Sequence, residues 1–200
     1  MLNIQNRISF SKNSKKIIKK FTREINGALD AHSWSKIKKE LKSEISRKLL
    51  ANQNYKCVYC KRYLLGLGHE IDHFANKAHH PKFCFNPTNL FYSCHFCNSS
   101  SRKGSKNTVS IVSAFYRNCV FNIVHPYFND VDNEIIYKDA DKIYFDWASC
   151  TNLGRQTIVF FGYDDLEMTL IRSKTIVFER QNPLTTQEER KLIDLAISYK

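Results

Sequence analysis

Four of the seven cysteines fall into two Cys-x-x-Cys pairs, Cys57/Cys60 and Cys94/Cys97, with 33 residues between the pairs. Four thiolates grouped in this way make a tetrahedral shell for one structural Zn2+. The intervening stretch is longer than an ordinary zinc ribbon allows, so it must hold structure of its own. It contains Asp72-His73 and Asn89, and Asn98 directly follows the second pair. A hard divalent cation such as Mg2+ takes oxygen ligands, and Asp72 and the side-chain carbonyl of Asn98 are of the right kind. Such an ion keeps several waters and an open position for a phosphate. On an extended segment His73 and Asp72 point to opposite faces unless the strand is bent or bulged. His95, inside the second knuckle, reads as a surface group, because four cysteines already fill a zinc shell. His79 and His80 read as surface groups in a loop. Cys84, Cys119 and Cys150 remain as spare thiols on small buried or half-buried residues.

These residues sit in a strongly basic chain. It has 31 Lys and Arg against 19 Asp and Glu, a net charge of +12 and a pI near 9.4. Residues 1–56 hold 14 basic and 4 acidic residues, residues 57–107 hold 7 and 2, and residues 108–200 hold 10 and 13. All the net positive charge is therefore in the first half, which points to a polyanion docking near the front of the molecule. Apolar residues make up 42% and Gly plus Pro only 10 positions, which excludes collagen-like and wholesale disordered classes and leaves an ordinary globular composition. No apolar run is long enough to span a bilayer, and the first twenty residues lack the apolar centre of a signal peptide, so a cytoplasmic location and no membrane partner are expected. Cysteines in such a compartment favour metal over disulfides.

The elements that must position the site follow from periodicity. Residues 33–53 place Trp34, Ile37, Leu41, Ile45 and Leu49 three or four apart, predicting one amphipathic helix, and KKIIKKFTREI upstream predicts a shorter one. Residues 111–124 are apolar and fit helix or strand. EIIYKDADKIYF predicts two short strands around a turn, and TIVFFGY at 157–163 a further strand. Asp164 or Asp165 caps a helix carrying Leu166, Leu170, Ile171 and Val177, and Thr185-x-x-Glu188 or Thr186-x-x-Glu189 opens a last one. The expected organisation is a basic helical region at 1–54, a zinc-stapled core at 55–107 and an α+β extension at 108–200 packed on the core. The interleaved aromatics Tyr59, Tyr63, Phe74, Phe83, Phe85, Phe91, Tyr92 and Phe96 are expected to fill that core rather than stack on bases.

The ordered combination CxxC, EIDHF, TNL and CHFCN, over about residues 55–105, resembles the HNH endonuclease family, ββα-metal nucleases with a four-cysteine zinc site. The resemblance implies an α+β fold in which a hairpin carrying Asp72-His73 packs on a helix carrying Asn98. It implies that His73 is the general base for the attacking water, that Asn89 orients His73 through a hydrogen bond, and that Asp72 and Asn98 hold one catalytic Mg2+ or Mn2+. Relatives carry Lys three residues after the last Asn. Here that position is Ser101, with Arg102 and Lys103 just beyond, and these two together with Lys61 and Arg62 are the expected phosphate contacts. His69 is a lesser candidate for approaching the metal. The lead-in Trp34, Gln53, Cys57, Cys60 and the downstream HPYFND and DADKIYF stretches are similar to HNH effectors of bacterial anti-phage systems of the PtuB type, which implies a regulatory ATPase partner. The expected substrate is DNA, with RNA equally compatible with the spacing. The competing expectation is a non-catalytic, zinc-ribbon-like nucleic-acid-binding or adaptor module.

Overall fold

A computed structural model describes residues 1–64, 68–181, 191 and 195. The architecture is mixed α+β, with small two-stranded sheets set among helices. An extended N-terminal segment buries Met1, Ile4, Ile8 and Phe10 and is held through Leu2 N–H to Val58 O at 2.7 Å and Ile4 N–H to Pro126 O at 2.9 Å. Helix α1 is Lys12–Glu24, capped by the Ser11 hydroxyl accepting from Ser14 N–H. Its lysines Lys12, Lys15, Lys16, Lys19 and Lys20 are exposed, while Ile17, Ile18 and Phe21 pack on the core.

The single helix expected over 33–53 is two. Helix α2 is Ser33–Lys36, the chain turns extended at Ile37 and Lys38, and α3 is Lys39–Asn52. The break lets Trp34 leave the α3 stripe while Leu41, Ile45 and Leu49, each at most 1% exposed, stay in the core. Burial of each such side chain contributes about 1.5–3 kcal/mol. Glu44 ties α3 to the start of α1: it accepts from Ser11 N–H at 2.8 Å and from the hydroxyls of Ser11 and Ser14, and pairs with Lys48 at 2.8 Å. Those bonds hold its carboxyl down to about 2 against the cost of its burial.

Strands β1 (His69–His73) and β2 (Leu90–Cys94) form an antiparallel pair in the register His69 to Cys94 and His73 to Leu90. β2 runs straight into the one-turn helix α4 (His95–Asn98), which packs against both strands. The stretch 111–124 resolves into β3 (Val109–Ile111), a 3-10 turn at Tyr116–Asn118 and β4 (Val120–Phe121), paired across a bulge. A short helix α5 (Val131–Glu134) follows, and Tyr137 bridges Phe145 where two strands were expected.

The strand expected at 157–163 is helical instead. Thr151 caps α6 (Asn152–Phe161) by accepting from Gly154 N–H, and Gly162 ends it in the left-handed region at φ 58°. The apolar run VFF belongs to a helix because Thr157, Ile158 and Phe161 share its buried side. Gly154 is required by close packing, since a Cβ there would lie 1.9 Å from the Glu134 carbonyl oxygen. Helix α7 is Leu166–Gln181, and the expected Asp165 cap is present, Met168 N–H donating to Asp165 Oδ1 at 2.7 Å. The helix expected from Thr185 or Thr186 lies outside the described residues. One buried apolar cluster draws on 1–54, 55–107 and 108–181 alike. No helix among the described residues is long and apolar enough to cross a membrane.

Candidate metal centre and the Asp72-His73 hairpin

The four cysteines meet. Their sulfurs lie within 4.8 Å of one another, all four residues are buried, and Cys60 Sγ is 3.8 Å from Cys94 Sγ. A tetrahedron of sulfurs about 2.3 Å from a central Zn2+ has edges near that length. The backbone shapes the cluster: Cys57 N–H donates to Arg62 O at 2.8 Å, Lys61 N–H to Cys57 O at 3.0 Å, and Cys94 N–H points to Cys57 Sγ at 3.4 Å. Sulfur hydrogen bonds, first from Cys57, hold the Cys94 thiol far below its ordinary value, while burial pushes Cys57 up. Four soft donors turned inward in this way fit a zinc ion, and a bound zinc would draw off the remaining thiol protons. Gln53, buried, locks the first knuckle to β2: its amide nitrogen Nε2 donates to the carbonyls of Lys56 and Tyr92, both at 2.8 Å, and Oε1 accepts from Tyr92 N–H at 2.7 Å.

Asp72 and His73 are both buried and take up different surroundings. The Asp72 carboxylate accepts from the Tyr59 hydroxyl at Oδ2 and from Lys103 Nζ at Oδ1, 2.9 Å away, and Lys103 also donates to His73 O at 2.8 Å. Lys103 is fully buried. The expectation that Lys103 contacts phosphate is therefore corrected: its ammonium is turned inward by the carboxylate that would otherwise be buried without a cation. It also stands where Asp72 would hold a divalent ion, so in this conformation the Asp72 site does not fit Mg2+ or Mn2+. Asn98, at the end of α4, is half-buried and its amide makes no hydrogen bond among the described residues.

His73 is 4% exposed. Its Nε2–H donates to Cys84 O at 3.1 Å, and the Trp34 ring stands nearly perpendicular to it with centroids 4.8 Å apart. A carbonyl can only accept, so Nε2 carries the proton and Nδ1, without a hydrogen bond among the described residues, is the basic atom. Burial, the largest influence, pushes the imidazole down to about 4 and keeps it neutral at pH 7.

Asn89 does not bond to His73, a second correction. Its Oδ1 accepts from Ala75 N–H at 2.7 Å and Tyr116 O–H at 2.9 Å, and its Nδ2 donates to Ala75 O and Phe83 O. It pins the loop whose next carbonyl, Cys84 O, receives the His73 proton, so it positions His73 through the backbone. Behind it runs a relay that sequence reasoning missed. Tyr127 N–H donates to His125 Nδ1 at 3.1 Å, leaving His125 Nε2–H to donate to the Tyr116 oxygen at 3.0 Å. Burial pushes the fully enclosed His125 well below its ordinary value. The only signal for it was the HPYFND stretch.

Of the remaining expected phosphate contacts, Arg102 is committed inside the molecule, while Arg62 and Lys61 are half-buried. Arg102 donates to Phe161 O at 2.9 Å, pairs with Asp165 and Glu167, and lies over the Phe96 ring. Arg62 is half-buried in the field of the cluster sulfurs, and Lys61 lines a cavity described below. His95 is exposed as expected, 3.0 Å from Glu70, and His69 packs on Tyr92. His79 is exposed, but His80 is buried, bonded to Asn107 at 2.8 Å.

No family model matches the chain. It is similar to protein ea31 of Escherichia phage lambda, 32% identical over 103 residues, which is 52% of this chain and 30% of the phage protein. The chain thus spans under a third of the length of that relative.

Two predictions follow from this geometry. Between pH 6.5 and 4 the unfolded chain binds protons that buried His73 refuses, so stability is unaffected above about pH 6.5 and falls as the pH drops through that window, by about 3 kcal/mol from this group at its lower end. Proton NMR should place His73 near pH 4, and a midpoint near 6.5 would contradict its burial. Lys103→Met should lower the urea-unfolding free energy by about 3–5 kcal/mol, because it leaves a buried carboxylate without its cation. A loss under about 1 kcal/mol would mean that the pair is open to water.

Proposed function

We propose that the chain is a zinc-stapled endonuclease of the HNH type that hydrolyses phosphodiester bonds in nucleic acid. The observation that carries this reading is the Nδ1 of a neutral His73, without a hydrogen bond among the described residues, on a hairpin whose second strand enters α4 through the four-cysteine cluster. In this reading Nδ1 takes the proton from the attacking water, and Cys84 O holds the ring by its Nε2–H. Asn89 fixes the loop that supplies that carbonyl. The exposed lysine row on α1 tracks the phosphate backbone of DNA or RNA, which sets affinity without reading bases. A catalytic Mg2+ or Mn2+, with Asp72 and Asn98 as ligands, would neutralise charge on the scissile phosphate and requires Lys103 to leave Asp72. Trp34 must also swing off His73 before water and substrate reach it. Both closures support an enzyme that is weak alone and works with a partner, for which a regulatory ATPase of a bacterial anti-phage system is the partner we propose.

The buried Asp72–Lys103 pair favours a second reading, a binding module in which the hairpin carries no chemistry. Plasmid nicking with Mg2+, Mn2+ or EDTA, run beside His73→Ala, separates the two. The nuclease reading predicts metal-dependent nicking that falls at least about 100-fold in the variant. DNA binding with nicking equal in both proteins, or with none in either even after Trp34→Ala, would overturn it.

A further inference from the structure

A cavity of about 470 Å3 lies between the first zinc knuckle, the 137–142 loop and α7, within the size range of pockets that enclose small ligands. Four cations line it, Lys56, Lys61, Lys142 and Arg172, against the carboxylates of Asp141 and Glu179. The acids are already committed: Glu179 takes Lys56 at 2.6 Å and Asp141 takes Arg180. Lys142 is neutralised by Asp132 at 2.8 Å. Lys61 has neither a salt bridge nor a side-chain hydrogen bond among the described residues. Arg172 donates to the carbonyls of Tyr163 and Ile143 and to the Thr169 hydroxyl, has no carboxylate partner among the described residues, and keeps a buried Nε with no acceptor.

Two cations without a carboxylate partner among the described residues therefore line one half-open cavity, together with Tyr137 and Tyr163. Lys61 is set there by the knuckle, on left-handed backbone at φ 64° with its N–H bonded to Cys57 O. An anion held in the cavity would give Lys61 the partner it lacks.

We propose that this cavity binds a phosphate monoester of nucleotide size, with the phosphate against Lys61 and the organic part between the tyrosines. The source is either a free nucleotide or the 5′-phosphorylated end of a strand, and the chemistry at Lys61 is common to both. The site is independent of catalysis at His73.

Isothermal titration of the full zinc-loaded chain with AMP, adenosine and a 5′-phosphorylated or 5′-hydroxyl dinucleotide tests it. AMP should saturate one site per chain while adenosine does not. Lys61→Gln should weaken AMP at least about tenfold with zinc content unchanged, and Lys61→Arg should restore it. Should Lys61→Gln disturb the knuckle, the half-exposed Lys142→Gln, expected to weaken AMP a few-fold, carries the test. Binding of the phosphorylated dinucleotide as tightly as AMP assigns the site to strand ends, and binding of AMP alone assigns it to free nucleotide. No saturation by AMP or the phosphorylated dinucleotide up to about 5 mM, or AMP binding unchanged in both the Lys61→Gln and Lys142→Gln proteins, overturns the proposal.

Discussion

The rest of the structure hangs on the convergence of four sulfurs. Cys57 and Cys60 precede β1, Cys94 closes β2, and Cys97 lies in α4, so one zinc ion would tie the lead-in, the hairpin and the helix to a single point. Without that tie the hairpin is a two-stranded sheet of five residues a side, which is marginal in water. The neighbouring contacts make sense only around the cluster. Gln53 fastens the knuckle to β2, Tyr163 O–H donates to Tyr59 O at 2.9 Å, and the N-terminal segment hydrogen-bonds to Val58. Metal binding and folding are then one equilibrium.

A second constraint follows from what the hairpin buries. Asp72, His73, Asn89, Lys103 and His125 are polar groups at most 6% exposed, and each must find partners within the protein. The carboxylate is answered by an ammonium and a phenol, the imidazoles by carbonyl and hydroxyl groups, and the amide by four backbone and side-chain partners. The chemistry of the site and its stability are thus the same set of bonds. Lys103 cannot leave Asp72, nor Trp34 uncover His73, without a cost in folding free energy.

Much of the site was legible because ligand chemistry is local. Two Cys-x-x-Cys pairs can be recognised by spacing alone, and Asp165 announced its helix because a cap acts within four residues. What failed was long-range. Nothing in the sequence around Lys103 distinguishes an exposed phosphate contact from a buried counterion, since the answer lies at Asp72, 31 residues away. Asn89 was assigned to His73 through a direct bond, whereas the fold sends it to Ala75, Phe83 and Tyr116. TIVFFGY carries strand-forming residue types, and only the Thr151 cap, the left-handed Gly162 and packing of Gly154 on Glu134 make it helical. Trp34 fitted the period of α3, and the break at Ile37 moved it onto His73.

Whether a zinc ion bound by four thiolates holds the hairpin in place is read by X-ray absorption at the zinc edge on the purified chain, with elemental analysis of the same sample. Such a site gives one zinc per chain with four sulfur neighbours at about 2.3 Å. A shell containing nitrogen or oxygen ligands, or a folded chain with no zinc, would contradict it.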